Sequence, residues 1–394
     1  MRARVSRSDL MRRRGGHDDG KVDFVELFFD LVFVFAVTQL SHSLLAHFTP
    51  LGVLETAILF MAVWWVWIYT TWITNWLDPH RTAIRLMLFA LMLAGLFLST
   101  SIPGAFGDRG LVFATAFVAM QVGRTLFVLC VVSGHDPGLG RNFQRIAAWL
   151  ATSGLFWLAG GWAEDEARLV LWIMALAIEY AGPACGFVTP GLGRSTTADW
   201  RISGAHMAER CGLFVILSLG ESILVSGATF AGQTWTPVSV AAFLVAFLGA
   251  VAMWWVYFHI GAERTSRHIQ SETADVGRLA RYAYTYMHLP IVAGIVVTAA
   301  GDEFLLAHPG GHAGPATAAA ILGGPALFVL GNIAFKRASA DHLPLSHIVG
   351  LVLLGLLVPF ATDFSPLTLG AATTAVLAVV AVWERISLGG VAEP

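Results

Sequence analysis

Two carboxylates near the start of the first apolar segment are the residues best suited to chemistry. Glu26 and Asp30 are four positions apart in ELFFD, so a helix places both on one face, with Asp30 about 6 Å further along the axis. An ionisable side chain inside a bilayer costs about 2.5 to 3.5 kcal/mol even on lenient scales, so such residues face protein or water. These acids therefore indicate a polar interior that handles a proton or a solute.

A second polar stripe follows the seventh apolar segment. His206, Glu209 and Arg210 fall in its first turns, and Glu221 comes eleven residues after Arg210, about 20° from the same helical face. The spacing predicts a single polar face that runs along the helix.

Three further polar residues interrupt apolar segments: Arg124 in the fourth, Glu179 in the sixth and His288 in the ninth. Residues of this kind mark ion or substrate pathways when they face a bundle interior. Glu26 and Glu209 lie close to helix ends, where interfacial and capping roles are as common as functional ones.

Two interpretations of the buried acids remain open. In the functional one, Asp30 or Glu221 exchanges a proton during coupled transport or acid catalysis. In the structural one, the acids of ELFFD form permanent ion pairs with Arg124 or Arg210, which fix the helix packing. Asp30 and Glu221 are the stronger functional candidates because they lie further from the helix ends.

The elements that carry these residues are membrane helices. The 394 residues are 56 % apolar and 13 % charged, with a mean hydropathy of +0.69, which no ordinary soluble surface matches. About 20 apolar residues suffice to cross ~30 Å of hydrocarbon. Twelve such segments are predicted, at 24–47, 51–75, 83–102, 111–133, 146–163, 169–190, 207–229, 238–259, 282–300, 317–335, 346–363 and 367–384.

The distribution of Lys and Arg supports this count and sets an orientation. All but four of the 24 basic residues fall in alternate loops that share one side. Arg109 and Arg168 lie on the other side, and Arg124 and Arg210 lie inside segments. The positive-inside rule then predicts a multi-pass protein of the bacterial inner (plasma) membrane, with both termini in the cytoplasm and residues 1–21 as a basic cytoplasmic tail.

The two halves of the chain contain similar sequence motifs. ELFFDLVFVF and AVWWVWIY in the first two segments are similar to ERCGLFVILSL and AMWWVYFH in the seventh and eighth. Six helices is an even number, so the repeats, 22–204 and 205–390, would share one orientation, as in several transporter folds. The predicted fold class is all-α: a polytopic membrane protein of about 12 transmembrane helices with a 6+6 parallel internal repeat.

Several kinds of site have no support in the sequence. Cys130, Cys185 and Cys211 occur singly, so neither a disulfide framework nor a zinc site is predicted, and no metal or cofactor is expected. Phosphate-binding loops, dinucleotide patterns and nucleophile elbows do not occur, which argues against an ATP-driven pump. The tryptophans of WWVWIYTTWITNW favour packing and interface-belt roles over a cation-binding cage.

Three motifs are similar to one known family. VDFVELFFDLVFVFAVTQLSHSL, HMAERCGLFVILSLGESIL and YTYMHLPIVAGIV resemble the low temperature requirement protein A family, and the similarity spans most of residues 22–390. The resemblance implies a bacterial multi-pass membrane protein that is tied to growth in the cold and has no settled biochemical activity. The positions that it singles out are Glu26, Asp30, Glu209, Gly220, Glu221 and Ser222.

Three functions follow as hypotheses. The leading one is a secondary transporter or permease in which Asp30 and Glu221, assisted by Arg210, handle a proton or a solute. The alternative is an intramembrane enzyme that acts on a lipid or isoprenoid by terpene-cyclase-like acid catalysis, with Asp30 and Glu221 as catalytic acids. The third is a structural or sensory membrane protein. Expected partners are membrane lipid and a small-molecule solute or lipid, without nucleic acid, and a homo-oligomer is compatible with the sequence.

Overall fold

The computed structural model describes residues 10–12, 21–133, 136–196, 203–258, 281–339 and 344–389, and their regular secondary structure is helical. Within them the only β pairing is two isolated bridges. The α-helices in these described residues are α1 (Phe24–Ala46), α2 (Pro50–Trp76), α3 (Thr82–Ser101), α4 (Gly110–Val132), α5 (Pro137–Trp162), α6 (Asp165–Ala184), α7 (Gly204–Ala231), α8 (Pro237–Phe258), α9 (His288–Ala307), α10 (Pro315–Ser339), α11 (Leu345–Leu357) and α12 (Pro366–Gly389). The predicted all-α fold is confirmed, with one helix for each predicted segment.

In the described part of the chain, ten helices are long and apolar enough to cross a membrane. The two others are α5 and α11. α5 has 26 residues but carries Arg141 and Arg145 in its first half, and these polar residues led the sequence prediction to place its start at 146. α11 has 13 residues, about 20 Å, and a 3₁₀ turn at Val358–Phe360 extends it.

Proline marks the point where five of the helices begin. α2, α5, α8, α10 and α12 start at Pro50, Pro137, Pro237, Pro315 and Pro366. Proline has no backbone N–H to leave unsatisfied in the first turn, and its fixed φ suits that position. Four of these five starts, all except that of α5, lie within two residues of the predicted ones.

The chain forms two compact units, and their boundary falls inside α7 between Glu209 and Arg210. The first unit contains α1 as far as Ser43, α2 to α6 and the start of α7. The second contains the last residues of α1, the rest of α7 and α8 to α12. The predicted duplication, with its boundary at 204/205, stays a prediction. The predicted duplication aligns the tryptophan pair of α2 with that of α8, but the two pairs differ in environment. Trp64 and Trp65 are fully buried, whereas Trp254 is 43 % exposed.

In the first unit, α2 is buried on almost every side from Thr56 onward. A helix that is apolar all round belongs to a core, and α2 has this character. Its Trp65 stacks on Tyr180 of α6, with ring centroids 3.9 Å apart. The tryptophans of α2 therefore pack inside the protein and do not form an interfacial belt.

In the second unit, α9 and α10 approach each other through glycines. A Cβ atom on Gly294 would lie 2.5 Å from the backbone nitrogen of Phe328, and one on Gly324 would lie 2.5 Å from that of Thr298. Small residues of this kind allow membrane helices to pack backbone against backbone.

Arg168, which the sequence placed in a loop, is a buried cap in the first unit. Its Nη1 donates hydrogen bonds to the carbonyl oxygens of Ala105 at 2.9 Å and Gly107 at 2.6 Å, while its Nε bonds those of Gly160 and Ala163. These carbonyls have no helical partner of their own at the end of α5 and after α3. The Arg168 guanidinium therefore links the end of α5 to the segment that follows α3.

Candidate functional site

Glu26 lies at the start of α1, where it completes a capping box. The backbone N–H of Asp23 donates to Glu26 Oε2 at 2.9 Å, and the N–H of Val25 donates to Asp23 Oδ1 at 2.9 Å. The two side chains satisfy N–H groups that a helix start leaves without intrahelical partners. Glu26 therefore stabilises the beginning of α1.

Glu26 also lies in a buried polar cluster of the first unit. Arg12 Nη2 donates to Glu26 Oε2 at 3.0 Å, and His206 Nε2 lies 3.0 Å from Glu26 Oε1. Asn75 donates to the carbonyl of Ser203 at 2.9 Å, next to the start of α7. The cluster joins α1, the end of α2 and the first turn of α7. Of the candidate residues predicted from the sequence, the structure therefore brings Glu26 and His206 into contact.

Asp30 is fully buried one turn further along α1. Trp67 Nε1 of α2 donates a hydrogen bond to Asp30 Oδ1 at 2.7 Å. A hydrogen bond to an ionised group is worth more than one between neutral groups. The contact fixes this carboxylate against the core helix of its unit.

Glu179 of α6 lies in a buried row of polar side chains within the first unit. Its Oε1 accepts a hydrogen bond from Ser153 Oγ at 2.7 Å, and its Oε2 accepts one from Gln121 Nε2 at 2.8 Å. Gln121 Oε1 in turn accepts a hydrogen bond from Arg124 Nη2. The neutral amide of Gln121 therefore stands between the carboxylate and the guanidinium.

Arg124 continues this row to α2. Its Nη1 donates to Thr70 Oγ1 at 2.8 Å and to the Val66 carbonyl at 3.0 Å, and its guanidinium lies 5.5 Å from the centre of the Tyr69 ring. Arg124 is 1 % exposed and Glu179 is 2 % exposed. The polar chain, as we call it, crosses four helices and consists of Ser153, Glu179, Gln121, Arg124 and Thr70.

The candidate residues of α7 have differing environments. Glu209 is exposed, Arg210 is fully buried and Glu221 is half-buried. Ser222 is buried in the second unit, where its Oγ lies 3.4 Å from Asp302 Oδ2 of α9. The predicted joint action of Asp30, Arg210 and Glu221 stays a prediction.

Several polar partners were not identified from the sequence. Trp67 belongs to the tryptophan run for which packing and belt roles were predicted, and nothing in the sequence marks it as a partner of Asp30. Gln121 and Ser153 are ordinary neutral residues of apolar helices, although Gln121 shares a helical face with Arg124. Asp302 lies beyond 300, the predicted end of the ninth segment, whereas α9 continues to Ala307.

A second buried ionic cluster joins α10, α11 and α12 in the second unit. Lys336 Nζ lies 2.5 Å from Glu384 Oε1 and 3.0 Å from His347 Nε2. Nearby, Tyr257 Oη lies 2.7 Å from His288 Nε2. Among the residues that the structure describes, no group of three or more His, Cys, Asp or Glu side chains could hold a metal ion.

These features define a polytopic α-helical membrane protein with buried ionisable groups. The family model of the bacterial low temperature requirement A protein (LtrA) matches residues 21–382. An uncharacterized protein of Rhizobium meliloti (strain 1021) is 45 % identical over 380 residues, which cover 95 % of this chain and 92 % of that protein. No solved structure matches the chain. The chain therefore belongs to the bacterial low temperature requirement A family of multi-pass membrane proteins, which confirms the resemblance.

Proposed function

We propose that this protein is a secondary transporter in which Glu179, together with Asp30, takes up and releases a proton or contacts the transported solute. The proposal rests on the burial and the hydrogen-bond partners of the Glu179 side chain. Its carboxylate is buried within a membrane helix, and its hydrogen-bond donors are a serine hydroxyl and a glutamine amide.

Neutral partners suit a group that changes its protonation state. A hydroxyl can donate to a carboxylate or accept from a carboxylic acid, and an amide offers both a donor and an acceptor. Glu179 can thus keep its place in both states. A carboxylate in direct contact with a guanidinium is instead stabilised in its charged form.

The other parts of the polar chain support the same function. Arg124 places a positive charge one amide away from Glu179, and it anchors this charge on α2 through Thr70. Buried ionisable residues in membrane helices commonly mark ion and substrate pathways. A chain across four helices would also couple protonation at Glu179 to the packing of those helices.

Glu26 has a different character, since its contacts with Asp23 and Arg12 are those of a helix cap and an ion pair. We therefore centre the transport hypothesis on Glu179 and Asp30. Roles for His206, Glu209, Glu221 and Ser222 in binding remain predictions.

The test is a transport assay with reconstituted full-length protein. Proteoliposomes on a solid-supported membrane are exposed to amino acids, sugars and short carboxylic acids, with and without an inward proton gradient. We expect at least one solute class to evoke charge movement that grows with the gradient. Glu179→Gln and Asp30→Asn should abolish it, and Glu166→Gln should retain it because Glu166 is exposed in the first turn of the same helix as Glu179.

Solute flux that ignores the gradient and is unchanged in Glu179→Gln and Asp30→Asn would contradict proton coupling. Conversion of a prenyl substrate by the purified protein, lost in the Asp30→Asn variant, would instead favour the intramembrane enzyme.

For the location we propose the bacterial inner membrane with both termini in the cytoplasm. The support is the distribution of basic residues between alternate loops. Labelling of Cys185, which is exposed after α6, by a membrane-impermeant thiol reagent should therefore occur in inverted vesicles and not in intact spheroplasts.

A further inference from the structure

An apolar groove runs between α8 and α12 on the outer surface of the second unit. Its volume is about 550 Å³. Leu248 and Val251 form one wall, and Ala375, Ala378 and Val382 form the other. All five side chains are exposed, so the groove is open along its side.

The length of the groove matches one leaflet of a bilayer. On α12 the lining residues extend from Ala371 to Arg385, and on α8 they extend from Val245 to Trp255. At 1.5 Å per residue these stretches are about 21 and 15 Å long. Half of a hydrocarbon core of ~30 Å is ~15 Å, so a single acyl chain from one leaflet would fill the groove.

One end of the groove is cationic and aromatic. The guanidinium of Arg385 lies 5.8 Å from the centre of the Trp255 ring. Trp254 and Trp383 are 43 % and 37 % exposed next to this end. Tryptophan and arginine together are typical of the level at which lipid headgroups begin. The charge is therefore at headgroup depth and the apolar walls are at acyl-chain depth.

We propose that this groove binds an anionic phospholipid, with one acyl chain between α8 and α12 and the phosphate at Arg385. The apolar walls exclude a polar ligand along most of the length, and the small side chains of α12 leave room for the chain. The cation at the interfacial end gives the site its preference for negative headgroups. This site is independent of the polar chain.

The test is native mass spectrometry of delipidated full-length protein, titrated with phosphatidylglycerol or phosphatidylcholine. Wild type should retain phosphatidylglycerol preferentially. Arg385→Gln should weaken that binding about fivefold, the effect of roughly 1 kcal/mol per interfacial cation. Ala378→Leu, which fills the groove, should remove one bound lipid of either kind.

Two controls keep the result specific. Arg337→Gln removes an exposed cation at the end of α10, and Ala319→Leu fills a second apolar groove, between α10 and α11; neither should change phosphatidylglycerol binding at the first site. Arg385 is exposed, so its substitution tests the site even if Ala378→Leu perturbs folding. Equal affinity for both lipids that Arg385→Gln leaves unchanged would overturn the proposal. So would a wild-type dimer that Ala378→Leu dissociates, since a second copy would then occupy the groove.

Discussion

The indole nitrogen of Trp67 lies 2.7 Å from Asp30 Oδ1, and both residues are completely buried. The hydrogen bond joins α1 to the core helix of the first unit. It also means that a tryptophan inside the protein, and not one at the membrane surface, positions a candidate functional acid.

Replacing Trp67 by Phe should destabilise the protein by about 1.5 to 3 kcal/mol, because a buried charged acceptor loses a donor. Unfolding in detergent would measure the change. A double-mutant cycle with Asp30→Leu separates the hydrogen bond from lost ring packing, and we expect a coupling energy above about 0.5 kcal/mol. Additive effects of the two substitutions would show that the contact contributes nothing.

Glu179→Gln and Glu179→Leu should differ strongly in stability. Glutamine keeps an acceptor oxygen for Ser153 or Gln121. Leucine leaves the Gln121 amide without its acceptor and removes the negative charge that lies near Arg124. Breaking such a buried network costs about 3 to 5 kcal/mol. Thermal unfolding should therefore place Glu179→Gln near wild type and Glu179→Leu far below it. Equal losses would mean that volume, not hydrogen bonding, governs this position.

The Lys336–Glu384 pair tests whether a buried ionic cluster is structural. Lys336→Met alone should cost about 3 to 5 kcal/mol because it leaves a buried carboxylate uncompensated. Lys336→Met combined with Glu384→Leu should recover most of that loss, since both charges are then absent. Unfolding curves of the single and double variants provide the measurement. A double variant no more stable than Lys336→Met would indicate that the pair has additional partners that need both groups.

Adjacent glycines in α10 offer a matched comparison of packing. A Cβ on Gly324 would lie 2.5 Å from the backbone of Thr298, whereas one on Gly323 meets nothing within 4 Å. Gly324→Ala should therefore force α9 and α10 apart and lower the unfolding temperature. Gly323→Ala should leave the temperature unchanged or raise it slightly, since alanine favours a helix by up to about 1 kcal/mol. The reverse order would contradict the close helix contact.

The helices could be predicted from the sequence because the bilayer imposes a length and proline marks many of their starts. The capping role of Glu26 was also predictable in part, since Asp23 and Glu26 have the spacing of a capping box. Asp30 and Glu179 were recognised because ionisable residues are conspicuous in apolar segments.

The partners of these residues were not predictable. Ser153 and Gln121 contact Glu179 only because α4, α5 and α6 pack together, and hydropathy contains no information on which helices are neighbours. Lys336 and Glu384 lay at predicted segment ends, where a solvated loop was the natural expectation. Their burial depends on how α10 packs against α12.

In the proposed transporter, Glu179 exchanges a proton while it is buried in the membrane. Infrared difference spectroscopy of reconstituted protein between acidic and alkaline buffer measures this directly, without knowledge of the solute. We predict a carboxylic-acid C=O band that changes with pH, disappears in Glu179→Gln and persists in Glu166→Gln. An identical difference spectrum in wild type and Glu179→Gln would contradict proton exchange at Glu179.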